Sequence, residues 1–188
     1  MNAGGMLDNE KLFYERFYAL HRNADLVEIY KRFGWSAFRR SSVLEGFEGF
    51  LDANAVRGRR CVEIGTCKGL TAILLARRFD EVVTIDVVPD PEREQIAAAV
   101  GVRNIHFTTV CGNPEKAALI DGLAFDFAYV DGDHARDTAS DFRLVQRCGN
   151  VLFHEYWPPQ PAVVALVDQL RAEGRVVTEG KLALWRRL

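Results

Sequence analysis

From Arg60 to the C-terminus, short apolar runs alternate with stretches in which apolar residues recur every three or four positions. Cys61–Ile64, Val82–Ile85, Asn104–Val110, Phe125–Val130 and Val151–His154 predict five strands. Helical spacing between them predicts helices over Leu70–Phe79, from Asp90 and Pro91 to Gly101, and over Pro114–Ile120. Two more follow, from about Arg136 to Arg147 and over Pro161–Ala172, the latter ended by Gly174. Arg175–Val177 and Leu182–Trp185 then read as a closing hairpin, giving seven strands. Strands this apolar leave no face for water. The alternation therefore predicts an α/β fold with a mainly parallel sheet covered on both faces and an antiparallel end. In such sheets ligands gather beyond the carboxyl ends of the strands, at the switch point.

The first quarter has a different pattern. Phe13, Phe17 and Leu20, then Leu26, Ile29, Tyr30 and Phe33, recur at helical spacing. Ser42 and Glu45 form a capping-box pattern ahead of Val43, Leu44, Phe47, Phe50 and Leu51, with Gly58 as the stop. Residues 1–58 are expected to form an N-terminal helical cap and residues 59–188 the core of one domain. Trp35, Phe38, Arg39 and Arg40 suit either ordinary packing with solvated charge or the wall of an acceptor pocket.

Composition narrows the classes. A net charge of −2 over 188 residues offers no electrostatic footprint for nucleic acid or an anionic membrane. Cys61, Cys67, Cys111 and Cys148 show neither metal-ligand pairs nor a disulfide framework, so reduced thiols and a cytoplasmic location are expected. Met1–Glu10 lacks a secretory pattern, and no apolar run approaches the ~20 residues that span a bilayer.

The candidate chemistry lies at the strand ends. The first strand leads into Gly65-Thr66-Cys67-Lys68-Gly69, where Gly65 permits a tight turn and Gly69 lets the helix start against the sheet. Such a turn is as often structural as ligand-binding. No GxGxxG is present, which argues against a dinucleotide. Glu63 within the strand needs a donor such as an ammonium group, and Thr71 adds a hydroxyl. Asp86, ending the second strand beside Val87, offers a carboxylate to two ribose hydroxyls. Asp131-Gly132-Asp133-His134 follows the fourth strand and His154-Glu155 the fifth. As a structural alternative, Asp133 caps the next helix and the histidines serve packing.

Val62–Gly65 through Thr71 resembles the first motif of class I S-adenosylmethionine-dependent methyltransferases. It is similar in particular to small O-methyltransferases, whose middle glycine is often replaced, as by Cys67 here. The resemblance implies that Gly65 and Thr66 pass under the methionine part of the cofactor. It also implies that Asp86 holds the ribose and that Gly112 and Asn113 meet the adenine. Asp131–His134, with Asp141 further on, resembles the signature of macrocin O-methyltransferase-like sugar enzymes. It implies methyl transfer to a small-molecule acceptor at a hydroxyl oxygen, with Asp131 near the reacting atoms; His134 and His154, as imidazoles suited to general base work, join it as catalytic candidates. A divalent cation such as Mg²⁺ is left open, with Asp131 and Glu155 as its oxygen ligands. The cofactor set is then Glu63, Gly65, Thr66, Gly69, Thr71, Asp86, Val87, Gly112, Asn113 and Asp131. An aminopropyltransferase on the same fold, a non-catalytic cofactor-binding module, and a homodimer remain alternatives.

Overall fold

A computed structural model describes residues 23–38 and 46–188. Phe13, Phe17, Leu20, Arg39, Arg40 and the Ser42–Glu45 pattern lie outside the described residues. Of the helical cap, α1 (Ala24–Phe33) continues into a 3₁₀ turn (Gly34–Phe38), and α2 (Phe47–Ala53) follows. Asn23 starts α1 by accepting the amides of Asp25 and Leu26 at 2.9 and 3.1 Å. Its side-chain amide donates to Glu48 at 2.9 Å, tying α1 to α2.

The core alternates β1 (Gly58–Ile64), α3 (Leu70–Ala76), β2 (Phe79–Asp86), α4 (Glu92–Ala99), β3 (Ile105–Thr109), α5 (Asn113–Asp121), β4 (Phe127–Val130), α6 (Thr138–Val145), β5 (Asn150–Phe153), α7 (Pro161–Leu170), β6 (Gly174–Glu179) and β7 (Leu182–Arg187). The seven strands lie in the order β3-β2-β1-β4-β5-β7-β6. The first five are parallel, and β7 runs antiparallel to both β5 and β6. The predicted alternation and hairpin are thus the observed ones.

Two glycines act differently from expectation. Gly58 opens β1 rather than ending a helix, and α2 stops five residues earlier. Gly174 opens β6, where a Cβ would sit 2.3 Å from the Arg186 carbonyl oxygen, so backbone crowding selects glycine.

The core has two layers. On one face, Leu26, Phe47, Phe50, Ile73 and Leu74 pack against Cys61, Val82 and Tyr129. On the other, Val62, Val83, Ala128 and Val151 meet Phe142, Val163 and Val167. Alternation along β1 therefore puts Val62 and Ile64 on the second face and Glu63 on the first. Because β2 and β4 leave opposite sides of β1, their following loops splay and open a cleft above β1 and β4. No helix among the described residues is long and apolar enough to cross a membrane.

Candidate functional site

The cleft holds a cavity of ≈310 Å³. Its lining comes from the ends of four parallel strands: Gly65 and Cys67 after β1, Asp86 and Val87 at β2, Val110 after β3, and Asp131–His134 after β4. Lys116 on α5, with Asp137 and Asp141, completes the wall.

Gly65 makes this meeting of loops possible. Its φ is +96°, and a Cβ there would lie 2.2 Å from the Asp131 carbonyl oxygen. Gly69 caps α3 with φ +78° against the Phe107 ring, as expected of a helix starting on the sheet.

Asp86 does more than face a ligand. Its Oδ2 accepts the amides of Thr66 and Cys67 at 3.0 and 2.9 Å and the Arg93 guanidinium at 3.0 Å. Oδ1 accepts the Val88 amide at 3.0 Å. Arg93, 3% exposed, also donates to the carbonyls of Cys67 and Val88 at 2.6 and 2.7 Å. One carboxylate and one guanidinium thus fasten the first loop to the end of β2. Each Asp86 oxygen has two lone pairs, so Oδ1 retains capacity for a ligand hydroxyl.

Several expected cofactor residues lie behind the wall. Glu63 is fully buried and meets Thr71 and Thr84 rather than an ammonium group; Thr71 Oγ1 donates to it at 2.5 Å. Thr84 in turn pairs with Thr66 at 2.7 Å. Burial, opposed by these hydroxyl bonds, pushes the Glu63 carboxyl up to about 8. Glu63, Thr66 and Thr71 therefore form a polar layer under the loop. Gly112 caps α5, and exposed Asn113 reaches Asp137 at 3.5 Å across the cavity's edge.

The richest chemistry surrounds Asp131. Its Oδ1 stands 2.8 Å from His154 Nδ1 and 3.2 Å from His134 Nε2. The Tyr129 hydroxyl donates to Oδ2 at 3.3 Å. The Asp131 and His154 side chains are 6% and 4% exposed and that of His134 is 19%; Asp131 and His134 line the cavity, and His154 stands behind them. Glu155 turns elsewhere. Its carboxylate takes the Trp157 indole N–H and the Lys181 ammonium, the latter at 3.2 Å. Asp133 accepts the Ala135 amide at 3.0 Å within the turn before α6 and does not cap that helix, whose N-cap is Asp137.

Sequence reasoning did not single out Lys116 or Arg93. Lys116 is buried and ion-paired with Asp141, 25 residues away. Burial raises the Asp141 carboxyl while the ammonium opposes that rise. No local pattern announces such a partner, nor the one that Arg93 finds in Asp86.

Strand order, parallel core, terminal hairpin and cleft together define a Rossmann-like α/β protein of the class I methyltransferase type. Residues 62–156, half of the chain, match a family model described as a methyltransferase domain, and the chain belongs to that family. Among solved structures it is similar to an O-methyltransferase from Bacillus cereus in complex with SAH. That match has a TM-score of 0.68 and 14% identity, covering 96% of this chain and 99% of that one. A caffeoyl-CoA O-methyltransferase candidate from Staphylococcus aureus has a TM-score of 0.63 at 15% identity, with 96% and 99% coverage. An rRNA methylase from Streptococcus thermophilus has a TM-score of 0.57 at 14% identity, with 77% and 95% coverage. At these identities the likeness is one of fold. No curated protein matches.

Proposed function

We propose that the protein transfers a methyl group from S-adenosylmethionine to a hydroxyl of a small-molecule acceptor. One observation carries this reading: the charge of the cavity. Asp86, Asp131, Asp133, Asp137 and Asp141 line it, against a single cation among the described residues, Lys116, which is already paired with Asp141. A dinucleotide would bring its pyrophosphate into this field and meet repulsion, whereas a sulfonium and an α-ammonium are attracted. The fold's ligand position and the B. cereus neighbour's bound SAH support the same cofactor.

In this reading Asp86 Oδ1 takes a ribose hydroxyl, and the loop it fastens passes beneath the methionine part. Asp131, His134 and His154 form the reacting end. The acceptor oxygen attacks the methyl carbon, the carbon–sulfur bond breaks with its electron pair going to sulfur, and a neutral thioether leaves. The hydroxyl proton passes to the imidazole of His134, which lines the cavity beside Asp131 and is the more exposed of the two. Asp131 orients that ring and stabilises its charged form, and His154 holds Asp131 from behind. In-line positioning supplies much of the rate, because the sulfonium is already electrophilic.

Calorimetry with S-adenosylmethionine, paired with turnover of labelled methyl on a panel of small hydroxyl compounds, tests the proposal. Asp86→Ala should weaken cofactor binding by about tenfold or more, roughly 1.4 kcal/mol. Asp131→Ala should bind within a few-fold of wild type but turn over ~10²–10⁴-fold more slowly. No heat with S-adenosylmethionine would overturn the reading. Binding without turnover on any acceptor would favour a non-catalytic module, and turnover of the decarboxylated cofactor an aminopropyltransferase.

A further inference from the structure

The resemblance to sugar O-methyltransferases leaves open a divalent cation such as Mg²⁺, for which Asp131 and Glu155 would be the oxygen ligands. The observed geometry does not fit that pair. Glu155 has a left-handed backbone (φ +60°), and its carboxylate is held by Trp157 and Lys181.

Different atoms converge instead. One ligand atom each from Asp131, His134 and His154 lies within 4.8 Å of the others. The two distances to Asp131 Oδ1, 2.8 and 3.2 Å, resemble the spacing of adjacent donors around one cation. For bonds of ~2.0–2.1 Å at right or tetrahedral angles, that spacing is roughly 2.9–3.4 Å. The far nitrogen of His154 gives independent evidence. Nε2 is buried, has no hydrogen-bond partner among the described residues, and stands 3.6 Å from Glu155 Oε1. With Nδ1 on a cation, Nε2 would carry the ring's N–H toward Glu155, the arrangement usual for metal-bound histidine.

From this we infer that Asp131, His134 and His154 bind a borderline transition-metal dication of the Zn²⁺, Co²⁺ or Fe²⁺ class, and that the site discriminates against Mg²⁺. Glu155 acts as the hydrogen-bond partner of His154 and not as a ligand. The physical reason is donor type: two imidazoles and one carboxylate suit Zn²⁺ or Fe²⁺, whereas Mg²⁺ demands oxygen. When bound, the cation would polarise the acceptor oxygen as a Lewis acid, and this would replace proton transfer to His134, whose Nε2 would then be a ligand. The inference draws on the methyltransferase reading only for that last role.

Tag-free, chelator-dialysed protein titrated with Co²⁺ alone tests it through the visible absorption of the cobalt. Co²⁺ should develop ligand-field bands that Zn²⁺ abolishes at stoichiometric amounts and that millimolar Mg²⁺ leaves unchanged. His134→Ala, on a partly exposed loop, should lose the bands, and Glu155→Gln should weaken Co²⁺ binding about 10–100-fold. The inference is overturned if no bands form, if Mg²⁺ displaces Co²⁺, or if His134→Ala binds Co²⁺ like wild type. Calorimetry with S-adenosylmethionine on the same sample separates the two readings. Cofactor binding without cobalt bands sinks only the metal, and bands without cofactor binding sink only the methyltransferase.

Discussion

Glu63 lies between Thr84 on β2 and Tyr129 on β4, with no exposed surface. With its carboxyl raised from 4.5 to about 8 by burial, the folded protein holds a proton that the unfolded chain releases. Threonine hydroxyls accept as well as donate, so they accommodate the acid form. The sign follows: a raised folded pKa gives stability that is full below pH 4.5 and is lost as pH rises toward 8. Within that window the slope approaches ~1.4 kcal/mol per pH unit. Thermal melts at pH 5 and pH 8 should therefore show a fall in Tm for the wild type that Glu63→Gln largely removes. An unchanged difference in the variant would mean that Glu63 is ionised in the fold. The sequence marks Glu63 as an acid that requires a donor, but which donor depends on β2 and α3, residues 8 and 21 positions away. Asp86 and Asp131 were easier to read, because a carboxylate directly after an apolar strand lands at the cleft whatever the surrounding detail.

At the scale of elements, the turn after β1 brings two strand-end loops within van der Waals contact. Gly65 is the point of contact, since both its φ of +96° and the Asp131 carbonyl exclude a side chain. Left-handed backbone costs a non-glycine residue ~1–2 kcal/mol and overpacking ~1–3 more. Gly65→Ala should thus destabilise by about 2–5 kcal/mol, read from the denaturation midpoint at constant m-value. A loss below 0.5 kcal/mol would show that the β1 and β4 loops separate easily. The tight turn was evident from sequence, but its partner across the sheet was not. Helix limits were misplaced for a related reason. Gly58 and Gly174 look like helix stops, yet each begins a strand, and at Gly174 neighbouring backbone leaves no space for a Cβ.

At the scale of the whole molecule, a ligand that binds only the folded chain stabilises it by mass action, about 2.7 kcal/mol at one hundred times Kd. For a chain of this size each kcal/mol raises Tm by roughly 2–4 °C. Saturating S-adenosylmethionine should therefore raise Tm by ~5–10 °C in a thermal-shift assay, with NAD⁺ giving no shift. A shift with NAD⁺ alone would point to a dinucleotide. Strand order, parallel core and closing hairpin were legible because each rests on local periodicity and on the burial both faces of a parallel sheet demand. The sequence alone thus determined the architecture and which strand ends form the cleft. Tertiary structure alone decided how the polar groups pair. Glu63 with Thr71 and Thr84, Lys116 with Asp141, Arg93 with Asp86, and His154 with Asp131 are contacts between separate elements. Burial makes such pairing obligatory for each polar group, but partner choice depends on distances that no local pattern encodes.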